Sequence, residues 1–95
     1  MKTTQLRRYA IEPGKMSAFV AWFEAEIPSL RRAFGFEIDF YLATNEDEFL
    51  WAVTLDGDMD EFLRVEAEYS VSNAREAAFQ TYPNCITNKH ISFVV

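Results

Sequence analysis

The spacing of apolar positions along this chain changes between two residues and three to four, and each change marks an element. Thr3 to Ile11 carries Thr, Leu, Tyr and Ile in near-alternation and ends at Pro13-Gly14, which predicts a strand closed by a turn. From Lys15 the step lengthens, and Met16, Phe19, Val20, Phe23, Ile27 and Leu30 fall on one face of a helix. Pro28 lies inside that pattern and lacks the amide that would bond the Glu24 carbonyl, which predicts a kink near Glu24–Ile27. Gly35 suits the left-handed position past a helix end. Phe36 to Thr44 then alternates, with Phe36, Ile38, Phe40 and Leu42 on one face and Glu37, Asp39, Tyr41 and Ala43 on the other. Asn45-Glu46-Asp47 is a polar loop, and Glu48 to Leu55 is a second strand that pairs with the first as a hairpin. After Asp56-Gly57, the run Asp58-Met59-Asp60-Glu61 has capping-box character with Asp as the cap. It opens a helix that buries Phe62, Val65 and Tyr69, with Asp60 spaced to pair with Arg64. Ser72 caps a further helix through Phe79, Tyr82-Pro83-Asn84 breaks it, and Cys85 to Val95 is the last strand.

The order β-α-β-β-α-β, with its second helical region split in two, predicts an α+β fold. It is a ferredoxin-like split βαβ with a four-stranded antiparallel sheet, strand order 4-1-3-2, and helices on one face. Residues 1–95 form one such domain, with no linker or internal repeat. Two helical regions cover only one face of the sheet. On the third strand both faces are apolar, Phe49, Trp51, Val53 and Leu55 on one and Leu50, Ala52 and Thr54 on the other. On the last strand Ile91, Phe93 and Val95 oppose Asn88, His90 and Ser92. A face this apolar predicts cover by a second copy, and two such sheets facing each other make a dimeric α+β barrel around a small ligand cavity.

Charge and composition remove several classes. The chain carries a net charge of −6, but unevenly. Residues 1–36 hold six basic and three acidic groups, residues 37–68 hold eleven acidic groups against Arg64 alone, and residues 69–95 hold two basic and one acidic. The longest basic runs, Arg7-Arg8 and Arg31-Arg32, are too short for a phosphate-binding surface, so nucleic acid is not an expected partner. No apolar run spans a bilayer and the start lacks a signal-peptide core, which places the expectation in the cytoplasm and away from a membrane. The single Cys85 excludes an internal disulfide and reads as a small hydrophobe.

His90 is the lone histidine and the one side chain whose ordinary pKa lies near neutrality, which makes it the candidate catalytic base; a strand histidine with a structural role is the alternative. Asp39 is a tempting partner, but its strand is at the opposite edge, about 14 Å away at the usual strand spacing. Arg7, Arg8 or Tyr9 on the neighbouring strand is the nearer contact. Arg7 and Tyr9 share one face with Gln5 and Ile11, and Arg8 points the other way. A guanidinium buried on a central strand is read either as an ion pair with Asp39 or Glu37, or as an anion clamp for a carboxylate or enolate. Trp51, Tyr41, Trp22 and Phe19 are read as core or as the aromatic wall of a pocket. Asp56, Asp58 and Asp60 lack the sixth-position glycine and twelfth-position glutamate of a calcium loop, so no metal is expected. No cofactor motif is present either.

Leu6-Arg7-Arg8-Tyr9 followed by Glu12-Pro13-Gly14-Lys15-Met16 resembles the opening strand and turn of NIPSNAP-like domains. Phe49-Leu50-Trp51 before an acidic turn resembles their central strand, and Tyr69-Ser70 is similar to the aromatic position late in their second helix. The resemblance implies a homodimeric barrel within a superfamily of oxygenases, isomerases, haem enzymes and non-enzymatic members. Two expectations follow. One is a small-molecule site for a hydrophobic or anionic compound, in a binding protein or a cofactor-independent oxygenase or isomerase. There Arg7 or Arg8 holds the anion, His90 moves protons, and Tyr9, Asp39, Tyr41 and Trp51 surround the ligand. The other is a structural or interaction module whose dimer face is its whole purpose.

Overall fold

The first alternating segment forms β1 (Lys2–Ile11), and Gly14, at positive φ, turns the chain into α1 (Met16–Ala33). α1 runs through Pro28 unbroken, and Gly35 takes the left-handed conformation that lets the chain leave it. The hairpin is β2 (Phe36–Asn45) and β3 (Glu48–Asp56). α2 (Met59–Ser70) begins with the Asp58 side chain accepting the Glu61 amide at 2.9 Å, and α3 (Asn73–Ala78) with Ser72 Oγ accepting the Arg75 amide at 3.1 Å. A short 3-10 turn, Phe79–Thr81, leads to β4 (Ile86–Phe93). The computed structural model describes residues 1–94; the expected place of Val95 on the last strand lies outside them.

The strands pair in the order β2-β3-β1-β4, each neighbour antiparallel, with the three helices in the connections. This is the expected ferredoxin-like β-α-β-β-α-β arrangement. Its core is a stack of rings between the sheet and the helices. Phe23 on α1 lies 4.9 Å from Phe49 and 5.1 Å from Trp51, centroid to centroid, and Phe62 on α2 meets Phe36 at 5.2 Å. Cys85 is buried in this core, and burial pushes its thiol above the ordinary range, so it packs as an apolar side chain.

One strand departs from the expected pattern. In β2, Ile38 faces Val53 and Phe40 faces Ala52, so Asp39 is an extra residue in a bulge. Asp39 accepts a hydrogen bond from Thr54 Oγ1 at 2.6 Å. The insertion reverses the two faces beyond it. Phe36 and Ile38 face the helices as expected, but from Phe40 onwards the parity flips. Tyr41 and Ala43 join Trp51 and Phe49 on the helix side, and Phe40 and Leu42 join Ala52 and Leu50 on the open side. Tyr41 is therefore not on the open face: its ring stacks at 5.1 Å from Phe23 and its hydroxyl donates to Glu24 at 2.8 Å, which raises the phenol's pKa.

Two charge pairings also differ from expectation. Arg64 pairs with Glu61 and Glu68, three and four residues away on the exposed side of α2, rather than with Asp60. Neither Arg7 nor Arg8 reaches Asp39 or Glu37. Arg7 pairs with Glu66 on α2, and Arg8 with Glu48 on β3. Asp39 and Glu37 lie on the edge strand, with β3 between them and β1.

Candidate functional site between the helices and the sheet

Two charged residues occupy positions that helix periodicity assigns to the core. Arg31 lies one turn beyond Ile27 on the buried stripe of α1, and Glu66 lies one turn beyond Phe62 on α2. Arg31 is only 2 % exposed. A charge that deep needs a partner, and Glu66 supplies it: Arg31 Nη1 donates to Oε1 at 2.6 Å and Nη2 to Oε2 at 3.4 Å. Arg7 rises from β1 to the same carboxylate, with Nη2 at 3.3 Å from Glu66 Oε2. The Arg7 fork is further fixed by Gln5 Oε1 at 2.7 Å and the Tyr9 hydroxyl at 3.2 Å. Two guanidiniums thus share one carboxylate, and the buried cluster keeps a net positive charge.

The rings around this cluster hold the cations flat. Arg31 Cζ lies 3.9 Å from the centroid of Tyr69 and 5.4 Å from that of Trp51, and Arg7 Cζ lies 5.4 Å from Trp51. Burial pushes the Tyr69 phenol up more strongly than Arg31 pulls it down, so it stays protonated at neutral pH. Beyond the cluster is a cavity of about 220 Å³, walled by Tyr9, Phe19, Trp22, Phe23, Trp51 and Tyr69. Trp22 Nε1 donates to the Ala78 carbonyl at 3.0 Å, which fastens α3 over α1 as the cavity's roof. Two buried donors, Trp51 Nε1 and Arg31 Nε, have no acceptor among the described residues. Buried donors are rarely left unpaired, which marks these two as groups that an acceptor in the cavity could satisfy.

The residues singled out in the sequence divide between two faces. Arg7, Tyr9 and Trp51 converge on the cavity, and Trp22 and Phe19 line it. Arg8 and His90 are register partners on the open face, beside a shallow groove that includes Glu48 and Asn88. Asp39 stands at the opposite edge, held by Thr54, and Tyr41 packs on the outer flank of α1. His90 and the Arg7–Trp51 pair therefore belong to opposite sides of one sheet. This cavity lies between the helices and the sheet of one chain, on the side opposite the open face where a ligand cavity was expected. Arg31 and Glu66 at the centre of the cluster were not singled out as site candidates from the sequence, nor were Arg75 and Lys89, which stand at the cavity's rim outside the cluster.

No family model and no curated protein matches the sequence. The match is in three dimensions. A NIPSNAP family protein of unknown function from Agrobacterium tumefaciens superposes with a TM-score of 0.85 at 12% identity, covering 98% of this chain and 86% of that one. A NIPSNAP-like domain protein from Burkholderia xenovorans gives 0.85 at 13% identity, covering 99% and 84%. The chain has the NIPSNAP fold. A protein assigned as an antibiotic biosynthesis monooxygenase from Nitrosomonas europaea follows at a TM-score of 0.73 and 10% identity, covering 98% and 88%. The NIPSNAP fold does not by itself fix a reaction, because chemistry is set by the site and not by the architecture.

Proposed function

We propose that this protein binds a small planar anion of carboxylate or enolate type in the cavity between helices and sheet. The observation that carries this reading is the pair of guanidiniums, Arg7 and Arg31, sharing the single carboxylate of Glu66 next to two unpartnered donors. A flat ring would lie between the aromatic walls, its acidic group would meet the surplus positive charge, and Trp51 Nε1 would gain an acceptor. The same cations would stabilise the enolate of a bound keto compound, which is what a cofactor-independent oxygenase or isomerase requires. The fold likeness to a protein assigned as a monooxygenase agrees with that extension. His90 takes no part in this reading, since it lies across the sheet.

The test uses the protein's own fluorophores, because Trp22 and Trp51 both line the cavity. Titration with salicylate is expected to change tryptophan emission saturably, and Arg7→Gln to weaken binding at least tenfold, about 1.4 kcal/mol. His90→Ala is expected to leave the affinity within twofold. Equal affinity in wild type and Arg7→Gln would overturn the reading.

We further propose that the chain forms a homodimer through its open sheet face. Past the bulge it presents Phe40, 40 % exposed, and Leu42, 45 % exposed, beside Leu50, Ala52 and Leu6. Its β2 edge is acidic, with Glu37 and Asp39, and its β4 side carries Arg8 and His90. A second copy, turned about a two-fold axis parallel to the strands, would set each acidic edge against the other's basic side and cover the apolar centre. Sedimentation at micromolar concentration is expected to give a dimer, and Phe40→Asp a monomer. A monomeric wild type would rule this assembly out.

A further inference from the structure

The cavity holds more positive charge than one acidic group can answer. Its charged lining is Arg7, Arg31, Arg75 and Lys89 against Glu66 alone, four cations to one carboxylate. The chain has nine basic residues and a net charge of −6, so nearly half of its cations surround one small cavity in an acidic protein. Like charges gathered against an apolar wall repel, and the arrangement is favourable when an anion completes it.

The four cations fall into two groups. Arg7 and Arg31 form the inner pair and already share Glu66. Arg75 on α3 and Lys89 on β4 lie further out, and neither forms an ion pair with a described residue. Both nonetheless lie over rings beside the cavity. Arg75 Cζ lies 4.0 Å from the Phe79 centroid and 5.8 Å from that of Tyr69, the ring whose face also carries Arg31. Lys89 Nζ lies 5.9 Å from the Tyr9 centroid. Cation–π contact sets the outer cations over rings of the cavity wall, Tyr69 for Arg75 and Tyr9 for Lys89, so a flat ligand body beside those rings would reach from one group to the other.

We infer that the ligand is a flat molecule with two acidic groups, one held by Arg7 and Arg31 and the other by Arg75 and Lys89. This rests on the anion-binding reading above and narrows it to a dianion. The inner group sets the orientation by charge-assisted hydrogen bonds, the rings accept the planar body, and the outer cations select for the second acid.

The test compares benzoate with the three benzenedicarboxylates, which share its ring and differ in the spacing of a second carboxylate, by tryptophan emission at low salt. The best-spaced diacid is expected to bind at least tenfold tighter than benzoate, with a steeper loss on adding salt. Arg75→Gln and Lys89→Gln, made singly, are each expected to weaken that diacid about threefold or more and leave benzoate within twofold. Lys89 is exposed on an edge strand, so its variant keeps the test valid if Arg75→Gln disturbs α3. If benzoate binds and no diacid binds tighter, the inference is overturned and the anion site stands. A diacid advantage that survives both variants also overturns it. If neither benzoate nor any diacid binds, the anion site falls and the inference with it.

Discussion

Glu66→Gln is expected to lower the stability of the fold by about 3 kcal/mol, at the lower end of the range for breaking a buried pair because Glu66 is itself 18 % exposed. The glutamine keeps the size of the side chain and one acceptor oxygen but removes the charge. Arg31, almost sealed from water, would then have no anion, and Arg7 would lose its partner as well. For a domain of this length such a loss lowers the melting temperature by about 12 °C or more. Ring stacking on Tyr69, Phe36 and Trp51 limits the damage and does not replace the charge. The proposed anion site adds a second consequence. A bound aromatic carboxylate could stand in for the lost one, so salicylate is expected to raise the variant's melting temperature more than the wild type's. Differential scanning calorimetry with and without the ligand checks both. An unchanged melting point in Glu66→Gln would show that water, and not Glu66, satisfies the two guanidiniums. Arg64, whose partners are on the exposed side of the same helix, serves as the control: Arg64→Ala is expected to leave the midpoint nearly unchanged.

Phe23→Ala is expected to cost about 3–5 kcal/mol, the usual range for emptying a large buried aromatic site. Phe23 is the ring on which helix and sheet converge, in contact with Phe19, Tyr41, Phe49 and Trp51. Four neighbours cannot all move into the space it leaves, so the void would persist and join the cavity it already lines. The variant, if cooled enough to stay folded, should therefore accept a naphthoate that the wild type excludes. Chemical denaturation gives the first number and tryptophan emission the second. A loss below about 1 kcal/mol would mean that the core collapses around the gap, contrary to a rigid ring stack.

The strand order, the helix caps at Asp58 and Ser72, and the sheet's open face follow from period, turn chemistry and capping, and all three stand in the structure. The faces of β2 do not follow. Alternation counts residues, and a bulge inserts one without changing composition, so Asp39 shifted Tyr41 and Phe40 to sides opposite to those the pattern assigned. The run Phe40-Tyr41-Leu42, three large apolar residues in succession, is the local sign that strict alternation had failed. The cavity was legible only in part. Strand parity sets Arg7 and Tyr9 on one face of β1 but does not say which face turns to the helices, so Arg8 and Asp39 were named beside them and the cavity was expected between two sheets. Arg31 was hidden because Leu30 beside it satisfied the apolar stripe, and Glu66 because it followed Val65. The signal was present in the pair. A basic residue on the buried stripe of one helix and an acidic residue on that of another complement each other, and neither stands out alone. Arg75 and Lys89 were beyond reach, because their approach to the rings depends on how α3 folds over α1.

The two central strands have a dual inheritance. In β1, Gln5, Arg7 and Tyr9 look toward the helices, with Arg7 and Tyr9 lining the cavity, while Thr4, Leu6 and Arg8 look outward, and β3 divides likewise between Trp51 and Ala52. The proposed ligand site and the proposed dimer face are therefore written on interleaved residues of the same backbone. Mutation can revise one without touching the other, one side chain at a time, so descendants of such a sheet are free to exchange ligands while keeping their companions.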